Sequence, residues 1–473
     1  MKNYPLYLNG KFVTTDKHFP VKNPATGKTV GQMSAIDHPL LVQAIKDAHA
    51  AFAGWRALTG KARGEYLRKI AAEIDKRRDE IARTITTENG KPLAQSFGET
   101  NMTIDQLNWF AEEGRRCYGR IIPPQADNKR NLVVKTPIGV VGAISPWNFP
   151  LALSVRKIAP ALAAGCPVIL KPSSLTPLCN VAFAEACDAV KLPKGVFQLV
   201  AGKASEISGE FLQNPLVRKI TFTGSTEVGR SLIAGAAANI KPLSLELGGL
   251  NPVLVFDDAD LEKAVEGTML AKYRNVGQSC IAAGRIYVQR GIYEKFIALM
   301  VKQAKAMKVG DGFEPGVEMG TMIDESALNK ALEHIADAVK HGARLLCGGK
   351  RIDRPGFFLE TTVLADVSKD CLCMKEETFG PVAAITSFTT EEEGIAAANS
   401  SSFGLAAYAF TRDLSRGFRL MDQLEAGSIG LNDGLPTTSN APFGGVKQSG
   451  WGRELGSEGL EAFLETKHVS IIL

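Results

Sequence analysis

Apolar residues recur every three to four positions through most of the first 115 residues. The period is clearest in HPLLVQAIKDAHAAFAGW (38–55) and GEYLRKIAAEIDKRRDEIARTI (64–85). Such spacing puts the apolar side chains on one face of a helix, where they pack against a core. The pattern predicts that the first 115 residues are helical.

Short β-branched runs alternate with helical stretches from Asn131 onward. The runs are NLVVKTPIGVVGAIS (131–145), PVILKP (167–172), GVFQLV (195–200), RKITFTG (218–224) and KPLSLELGG (241–249). Pro160 predicts a bend in the first intervening helix, because proline lacks the N–H that a helix interior needs. Strands that alternate with helices form parallel sheets through right-handed crossovers. This part of the chain is therefore predicted to form an open, doubly wound α/β domain.

A second alternation of strands and helices begins at NPVLVF (251–256) and continues past residue 430. It predicts a second α/β domain of the same kind. The run HVSIIL (468–473) is a strand candidate with no later segment to pair with. Two interpretations of this run stay open: an edge strand that joins another subunit, or a strand that closes its own domain.

The composition excludes several classes of protein. Of 473 residues, 45% are hydrophobic and 22% are charged, which is ordinary for a globular protein of two or three domains. A net charge of +5 and the lack of any basic run of five give no case for binding nucleic acid or a membrane surface. Eight cysteines without a CxxC pair, and a start without a secretory core, favour a reduced cytoplasmic protein. The six histidines are scattered, so no metal site is expected.

Residues that could bind a ligand or take part in catalysis follow the predicted strands one after another. Asn148, Lys171, Gly224 and Glu246 each come directly after a β-run or at its end. Ligands of open α/β sheets bind beyond the carboxyl ends of the strands. Four such positions in succession predict the floor of a ligand crevice.

Two features of this crevice have an ordinary structural explanation as well as a functional one. Gly224-Ser225-Thr226 opens a helix and would suit a pyrophosphate, but the GxxxxG spacing is also that of a capped turn. Cys280 lies among small residues in NVGQSCIAAGR, as a nucleophile would, yet cysteine is also a common core residue. From these residues alone, both explanations stay open for each feature.

Seven motifs together resemble those of the aldehyde dehydrogenase superfamily, in order and in spacing. They are PWNFP (146–150), LKPSS (170–174), FTGSTEVG (222–229), LELGG (245–249), GQSC (277–280), EETFGP (376–381) and APFGGVKQSGWGRE (441–454). The resemblance covers essentially the whole chain. Within the superfamily, WFAEEG (109–114), FDDADLEKAVEG (256–267) and YRNVGQSC (273–280) most resemble the succinate-semialdehyde dehydrogenases.

The resemblance implies a separate role for each of three catalytic residues. Cys280 would attack the aldehyde carbon and form a thiohemiacetal. The Asn148 amide and the Cys280 backbone N–H would hold the oxyanion. After oxidation to a thioester, Glu246 would activate the water that hydrolyses it.

The resemblance also implies a cofactor, NADP or NAD, and the residues that bind it. We expect NADP to be accepted, with NAD as a possible second cofactor, because Ser174 stands where NAD-restricted relatives tend to have a glutamate that repels the 2′-phosphate. Lys171 could pair with that phosphate. The full set of implied cofactor residues is Trp147, Asn148, Lys171, Pro172, Ser173, Ser174, Gly224, Ser225, Leu247, Glu377 and Phe379.

For the substrate, the resemblance implies a small anionic semialdehyde, with succinate semialdehyde first. Arg156 and Arg274 match the arginines that hold the distal carboxylate in the succinate-semialdehyde dehydrogenases. Thr437 stands where that subfamily usually has a serine, and the CxC around its nucleophile is absent here. Glutarate semialdehyde, a sulfonate- or phosphonate-bearing aldehyde, or a general aliphatic aldehyde therefore stay open as alternatives.

By the same resemblance we expect an aldehyde-dehydrogenase-like fold with two open doubly wound α/β domains and a small β oligomerisation segment. The cofactor domain would comprise 1–115 and 136–247, the catalytic domain 248–446, and the oligomerisation segment 116–135 and 455–473. A homodimer or homotetramer would follow. The alternatives are transfer of the acyl group to coenzyme A, against which Glu246 argues, and a non-catalytic binding protein on the same scaffold.

Overall fold

Two open, mostly parallel β-sheets organise the chain, and the computed structural model describes residues 2–473. In chain order the strands are β1 Asn3–Tyr4, β2 Leu6–Leu8, β3 Lys11–Val13, β4 His18–Lys22, β5 Thr29–Ser34, β6 Arg120–Ile122, β7 Lys129–Pro137, β8 Val140–Ile144, β9 Val168–Lys171, β10 Phe197–Leu199, β11 Val217–Thr223, β12 Leu243–Glu246, β13 Asn251–Val255, β14 Ala283–Gln289, β15 Arg344–Cys347, β16 Thr362–Ala365, β17 Val382–Phe388, β18 Phe403–Gly404, β19 Ala406–Phe410, β20 Ser428–Leu431, β21 Val446–Lys447, β22 Gly450–Trp451 and β23 Leu464–Ile472.

Helices cover the faces of these sheets. They are α1 His38–Ala57, α2 Gly60–Lys76, α3 Arg78–Asn89, α4 Leu93–Glu113, α5 Ala152–Ala164, α6 Leu178–Ala189, α7 Ala204–Gln213, α8 Thr226–Ala236, α9 Leu261–Tyr273, α10 Tyr293–Ala306, α11 Glu325–Lys340, α12 Leu372–Lys375, α13 Glu391–Asn399, α14 Leu414–Gln423 and α15 Gly456–Glu461. Within residues 2–473, none of these helices combines the length and the apolar character needed to cross a membrane.

The first sheet has eight strands in the order β22-β12-β11-β8-β9-β10-β2-β3. Its five central strands, β12 to β10 in that order, are parallel. The register pairs Ile144 with Lys171 and Thr223 with Glu246, so the carboxyl ends of these strands meet at one edge. That edge is where the sequence places its candidate residues.

The second sheet has seven strands in the order β15-β16-β17-β14-β13-β19-β20, all within the second half of the chain. Its strands are parallel except β15. β13 and β14 are buried almost throughout, as expected for strands with helices on both faces. Cys280 lies three residues before β14.

The last β-run pairs within its own chain. β23 forms an antiparallel ladder with β7, from Leu464 opposite Pro137 to Ile472 opposite Lys129, and β6 covers the other edge of β7. The interpretation as a strand paired within the chain is thus correct for one edge of β23. Its second edge pairs with no strand among residues 2–473.

Two predictions from the hydrophobic pattern are wrong. Residues 3–34 form strands β1 to β5 rather than helices, and the helical pattern begins only at His38. In addition, α5 runs unbroken from Ala152 to Ala164 through Pro160. Every residue of α5 is buried, so packing on all sides supports a helix that lacks one internal hydrogen bond.

Candidate active site

The loop before Cys280 has an unusual backbone. Asn275, Val276 and Gly277 all have left-handed φ values, 52°, 62° and 69°. This conformation is costly for a β-branched residue such as Val276. At Gly277 a Cβ would lie 2.3 Å from the carbonyl oxygen of Gly380, so only glycine fits. The loop therefore holds Cys280 in a position that the local sequence does not favour by itself.

Cys280 is half-buried and lies on the wall of a deep cavity. Its carbonyl oxygen accepts a hydrogen bond of 2.9 Å from Asn251 Nδ2, and its backbone N–H donates to no acceptor in residues 2–473. Burial, followed by the nearby Glu246, raises the pKa of the thiol to about 12. In the ligand-free chain the sulfur is consequently a thiol, not a thiolate.

Asn148 lies beside this loop and is buried. Its Nδ2 donates to the carbonyl oxygen of Gln278 at 3.1 Å, which leaves the second N–H proton of the amide free. The backbone carbonyl of Asn148 accepts from Lys91 Nζ at 2.7 Å and from Asn275 Nδ2 at 2.9 Å. An amide fixed in this way can donate to an oxyanion that forms near Cys280.

A buried ion pair supports the loop that carries Asn148. Lys91 Nζ lies 2.7 Å from Glu99 Oε2, and both side chains are fully buried. Glu99 Oε1 accepts from the backbone N–H groups of Leu151 and Ala152, at 2.9 and 3.2 Å, where α5 begins. We call Lys91 and Glu99 the buried clamp. It joins the start of α4 to the loop between β8 and α5.

Glu246 ends β12 and is buried, and its Oε2 has no hydrogen-bond partner among residues 2–473. Burial and the neighbouring Glu454 raise the pKa of this carboxyl well above its ordinary value, while Lys157 opposes the shift. Lys157 Nζ in turn binds Glu454 Oε1 and lies 2.6 Å from Thr223 Oγ1. A carboxyl that is easily protonated can exchange protons with water near neutral pH.

The cavity beside Cys280 has a volume of about 940 Å³. α4, α5, α9 and the segment 435–455 form its walls, and Arg156, Arg274 and Thr437 all line it together with Cys280. The Arg156 guanidinium lies 4.8 Å from the Phe443 ring centre, and that of Arg274 lies 4.7 Å from the Phe149 ring centre. Aromatic faces thus hold both cations in the wall.

Residues at the carboxyl edge of the first sheet suit a dinucleotide. Lys171 is buried and has no acidic partner in residues 2–473, and burial lowers its pKa to about 8. A cation in this state is stabilised by an anionic ligand. Ser174 lies three residues further on and is half-buried.

The turn after β11 opens α8 as the sequence predicts. The Ser225 side chain accepts from the backbone N–H of Val228 and caps the helix. Gly224 donates its N–H to the carbonyl oxygen of Glu246, and a Cβ at Gly224 would lie 2.3 Å from the Phe222 ring. A helix N-terminus in this position is suited to a pyrophosphate.

The second sheet contributes the opposite side of the candidate cofactor site. Glu377 Oε1 accepts from the backbone N–H of Gly249 at 3.2 Å, and burial raises the pKa of its carboxyl to about 7. The Phe379 ring packs edge-on against Trp147 at 5.4 Å. Leu247 is buried next to Gly229 of α8, while Pro172 and Ser173 follow Lys171 in the loop after β9.

Sequence reasoning missed four charged residues of this site: Lys91, Glu99, Lys157 and Glu454. Glu454 ends the motif 441–454, whereas the other three lie outside every motif; all four charges are buried and paired. One signal was present for Lys157, which together with Arg156 interrupts the mostly apolar stretch LALSVRKIAPALAA (151–164). A buried helix rarely contains an unpaired lysine, so a partner was to be expected.

The other seven cysteines differ in their exposure. Cys117 and Cys347 are half-buried like Cys280, whereas Cys166, Cys179, Cys187, Cys371 and Cys373 are buried. The ligand atoms of Cys371, Asp337 and His341 lie within 4.8 Å of one another. Asp337 Oδ2 already accepts from the Leu372 N–H at 2.7 Å, and burial raises the pKa of Cys371. The absence of a metal stays a prediction.

Comparison with known proteins adds to this geometry. The sequence profile of the aldehyde dehydrogenase family matches residues 12–469. The glutarate-semialdehyde dehydrogenase of Pseudomonas aeruginosa is 48% identical, over 98% of this chain and 97% of its own length. The NADP(+)-dependent succinate-semialdehyde dehydrogenase GabD of Escherichia coli K12 is 47% identical, over 98% and 97%. A 3-sulfolactaldehyde dehydrogenase of Pseudomonas putida is 46% identical, over 98% and 96%.

Solved structures give the same fold. The succinate-semialdehyde dehydrogenase of Burkholderia pseudomallei superposes with a TM-score of 0.98 at 44% identity, over 99% of this chain and 98% of that chain. The betaine aldehyde dehydrogenase of Staphylococcus aureus, in complex with NAD+, gives 0.96 at 36% identity, over 99% and 94%. The fold class predicted from the sequence is confirmed.

Proposed function

The chain belongs to the aldehyde dehydrogenase family, and from that premise we propose that it oxidises a small anionic semialdehyde, with succinate semialdehyde as the first candidate. The family makes it an oxidoreductase that uses NADP or NAD. The roles of individual residues below are part of the proposal.

One observation supports the anionic substrate above all. Arg156 and Arg274 line the cavity that leads to Cys280, and neither guanidinium forms an ion pair with an acidic group of residues 2–473. Arg156 Nε lacks any hydrogen-bond partner within the same residues, and burial lowers the pKa of Arg274. Arg156 is buried and Arg274 half-buried, and two such cations without a counter-ion are costly unless a ligand brings the negative charge. A carboxylate at the far end of a short aldehyde meets this need.

In the first half of the proposed reaction, the Cys280 thiol gives its proton to solvent water, and its sulfur forms a bond to the aldehyde carbon. The carbonyl electrons move to the oxygen, which the Asn148 amide and the Cys280 N–H stabilise as an oxyanion. NADP or NAD, when bound, would supply the oxidant that takes up a hydride from the tetrahedral carbon. The product of this half is a thioester on Cys280.

In the second half, Glu246 takes a proton from water as the water oxygen attacks the thioester carbon. The carbon–sulfur bond breaks, and the acid product leaves. The raised pKa of the Glu246 carboxyl suits this exchange. Glu454 and Lys157, which are paired beside Glu246, provide a buried route by which the proton can move away.

For the cofactor we propose the residues that the resemblance implies, with NADP accepted. Lys171 has no acidic partner in residues 2–473 and is free to bind a ribose phosphate. Gly224 and Ser225 would hold the pyrophosphate at the N-terminus of α8, and Glu377 would bind the nicotinamide ribose.

The test of the anionic substrate is the variant Arg156→Met. We expect kcat/KM for succinate semialdehyde to fall at least about 100-fold, since removing one of two cations leaves the carboxylate with an incomplete partner. The value of kcat/KM for butanal, which has four carbons but no acid group, should change less than about threefold. Initial rates of NADPH formation measure both. Equal losses for the two aldehydes would overturn the anion-binding role of Arg156.

Glutarate semialdehyde is the second candidate substrate. It is supported by a relative at 48% identity that acts on it, and by a cavity of about 940 Å³, which has room for a fifth carbon. Rates with both semialdehydes and with a sulfonate-bearing aldehyde, measured side by side, rank the candidates. A preference for butanal over all three would reject the whole class.

We further propose the domain division given above and a homodimer or homotetramer held together by the sheet of β6, β7 and β23. The open edge of β23 supports the assembly. The cytoplasm stays our proposed location, supported by eight unpaired cysteines.

A further inference from the structure

Gln106 in the middle of α4 is buried without any hydrogen bond. The side chain is 0% exposed, and neither Oε1 nor Nε2 has a partner among residues 2–473. A buried amide that makes none of its bonds is rare and calls for a ligand or another explanation. Gln106 belongs to the wall of the cavity that contains Cys280.

The packing of α4 on α5 places Gln106 level with Arg156. Glu99 binds the backbone at Leu151 and Ala152, and a Cβ at Gly114 would touch Ala163 at 3.2 Å. The two helices therefore run in the same direction, and residue numbers increase along both. Residue 106 lies about midway between these contacts, and so does residue 156 on its helix. Gln106 and Arg156 thus line the same cavity from neighbouring positions on two packed helices.

A second polar group of this wall lacks a partner as well. Thr437 Oγ1 is buried and makes no hydrogen bond within residues 2–473. Gly456 joins the segment of Thr437 to α4, because its N–H donates to the Ser439 carbonyl and its own carbonyl accepts from Trp109 Nε1 at 3.2 Å. Trp109 is one helical turn after Gln106. Two unpaired polar side chains therefore flank one region of the cavity.

From this arrangement we infer that Gln106 is a specificity-determining residue, and that the preferred substrate is an anionic aldehyde with a hydroxyl group on the carbon next to its acid. The inference rests on the proposed function: it keeps the small anionic semialdehyde and puts the 2-hydroxy form ahead of succinate semialdehyde. An amide offers a carbonyl oxygen that accepts and an NH2 group that donates, and a hydroxyl is the small group that pairs with both. A methylene satisfies neither, and a second carboxylate would only accept. The Gln106 side chain has three rotatable bonds, through which its amide can turn into the cavity when the ligand enters.

The experiment compares two aldehydes that differ by this hydroxyl, 4-oxobutanoate and 2-hydroxy-4-oxobutanoate, in the wild type and in Gln106→Leu. We expect the wild type to prefer the hydroxylated aldehyde about tenfold in kcat/KM. Gln106→Leu should abolish or reverse the preference. Met102→Leu, at a cavity position one turn earlier on α4, is the matched control and should change both rates by the same factor.

A binding measurement on the wild type keeps the test decisive if Gln106→Leu does not fold. Malate and succinate are the acids that the two oxidations produce, and we expect malate to inhibit about tenfold more strongly. The inference about Gln106 would be overturned if succinate inhibits as strongly as malate or more strongly. It would also be overturned if the wild type and Gln106→Leu show the same ratio of kcat/KM for the two aldehydes. Failure of the proposed function looks different: butanal would then be oxidised as well as 4-oxobutanoate.

Discussion

At the scale of single residues, the surroundings of Cys280 oppose the step that the reaction requires. A thiol must lose its proton before the sulfur attacks a carbonyl. Burial and the Glu246 carboxyl together raise the pKa of Cys280 to about 12, so the thiolate is scarce at neutral pH. Ligand binding has to change this balance, because the Arg156 cation favours the thiolate but the Glu246, Glu377 and Glu454 carboxyls nearby oppose it.

This environment predicts how the thiol reacts in the ligand-free enzyme. Alkylation of Cys280 should speed up about tenfold per pH unit from pH 7 to 9.5 with no plateau, because the thiolate fraction rises throughout this range. Glu246→Gln should accelerate alkylation at pH 9, since it removes a negative charge that raises the thiol pKa. Iodoacetamide labelling followed by peptide mass spectrometry measures both effects.

Cys280→Ser provides the control for this labelling, since Cys117 and Cys347 are also half-buried and will contribute a background. A plateau near pH 8 would contradict the raised pKa. Slower alkylation in Glu246→Gln would show instead that Glu246 takes the proton of the thiol.

Ser174 carries a prediction about the cofactor. In Ser174→Glu, a carboxylate would stand near Lys171 and repel a 2′-phosphate, so KM for NADP should rise more than about tenfold while KM for NAD stays within about threefold. Ser174→Ala, which adds no charge, should affect the two cofactors alike. Steady-state kinetics with each cofactor at saturating aldehyde provide the numbers. An equal rise of KM for both would mean that residue 174 lies away from the ribose.

The sequence indicates some of these residues and not others. Cys280, Glu246 and Asn148 lie in short motifs, and the resemblance assigns each a role. Glu454 is different, because its partner Lys157 is 297 residues away in the chain and their pairing depends on the packing of α5 against the C-terminal segment. Gln106 belongs to no motif at all. Its unmet hydrogen bonds become visible only once the cavity exists.

At the scale of elements, the buried clamp connects two loops that no single motif joins. Lys91 donates to the carbonyl of Asn148, while Glu99 binds the first N–H groups of α5, the helix that carries Arg156. Lys91 also lies 4.1 Å from the centre of the Phe149 ring, on which Arg274 packs. One ion pair therefore fixes the amide proposed for the oxyanion together with both arginines.

A double-mutant cycle tests the clamp as a positioning device. Lys91→Met should lower kcat at least about tenfold with KM little changed, because the Asn148 amide is displaced from a group that forms only in the transition state. In an Asn148→Ala background, Lys91→Met should have almost no further effect on kcat. A loss of equal size in both backgrounds would show that Lys91 supports the fold rather than Asn148.

Helices and strands were predicted best where a regular pattern extends over a long segment of the sequence. The helices of 38–113 and the alternation from Asn131 are of this kind. The N-terminal strands were missed because they are short, although Asn9-Gly10 between β2 and β3 is a strong hairpin signal. Both residues have positive φ, 48° and 74°, as a two-residue hairpin turn requires. Pro160 misled the prediction because burial on all sides of α5 outweighs one lost hydrogen bond.

At the scale of the whole molecule, the site is assembled from both sheets. The first sheet supplies Asn148, Lys171 and Glu246 at its carboxyl edge, and the second supplies Cys280 and Glu377. The segment after β20 returns to the first sheet through β22, where Gly450 pairs with Glu246. At Gly450 a Cβ would lie 1.9 Å from the Leu245 carbonyl oxygen, so this return is possible only with glycine. The two sheets are thereby fixed relative to each other around the cavity.

The sheet of β6, β7 and β23 predicts how the chain assembles. β23 leaves one edge unpaired within residues 2–473, and Ile121 and Ile472 on the outer strands of this sheet are 76% and 69% exposed. Open edges with apolar side chains tend to pair with another chain. We expect light scattering after size-exclusion chromatography to give two or four times the mass of one chain, and Ile121→Lys/Ile472→Lys to shift it towards one. Val339→Lys, at an exposed apolar position on α11, is the control and should assemble like the wild type. If the double variant also keeps the wild-type mass, the contact between subunits lies on another surface, and the role proposed for 116–135 and 455–473 is wrong.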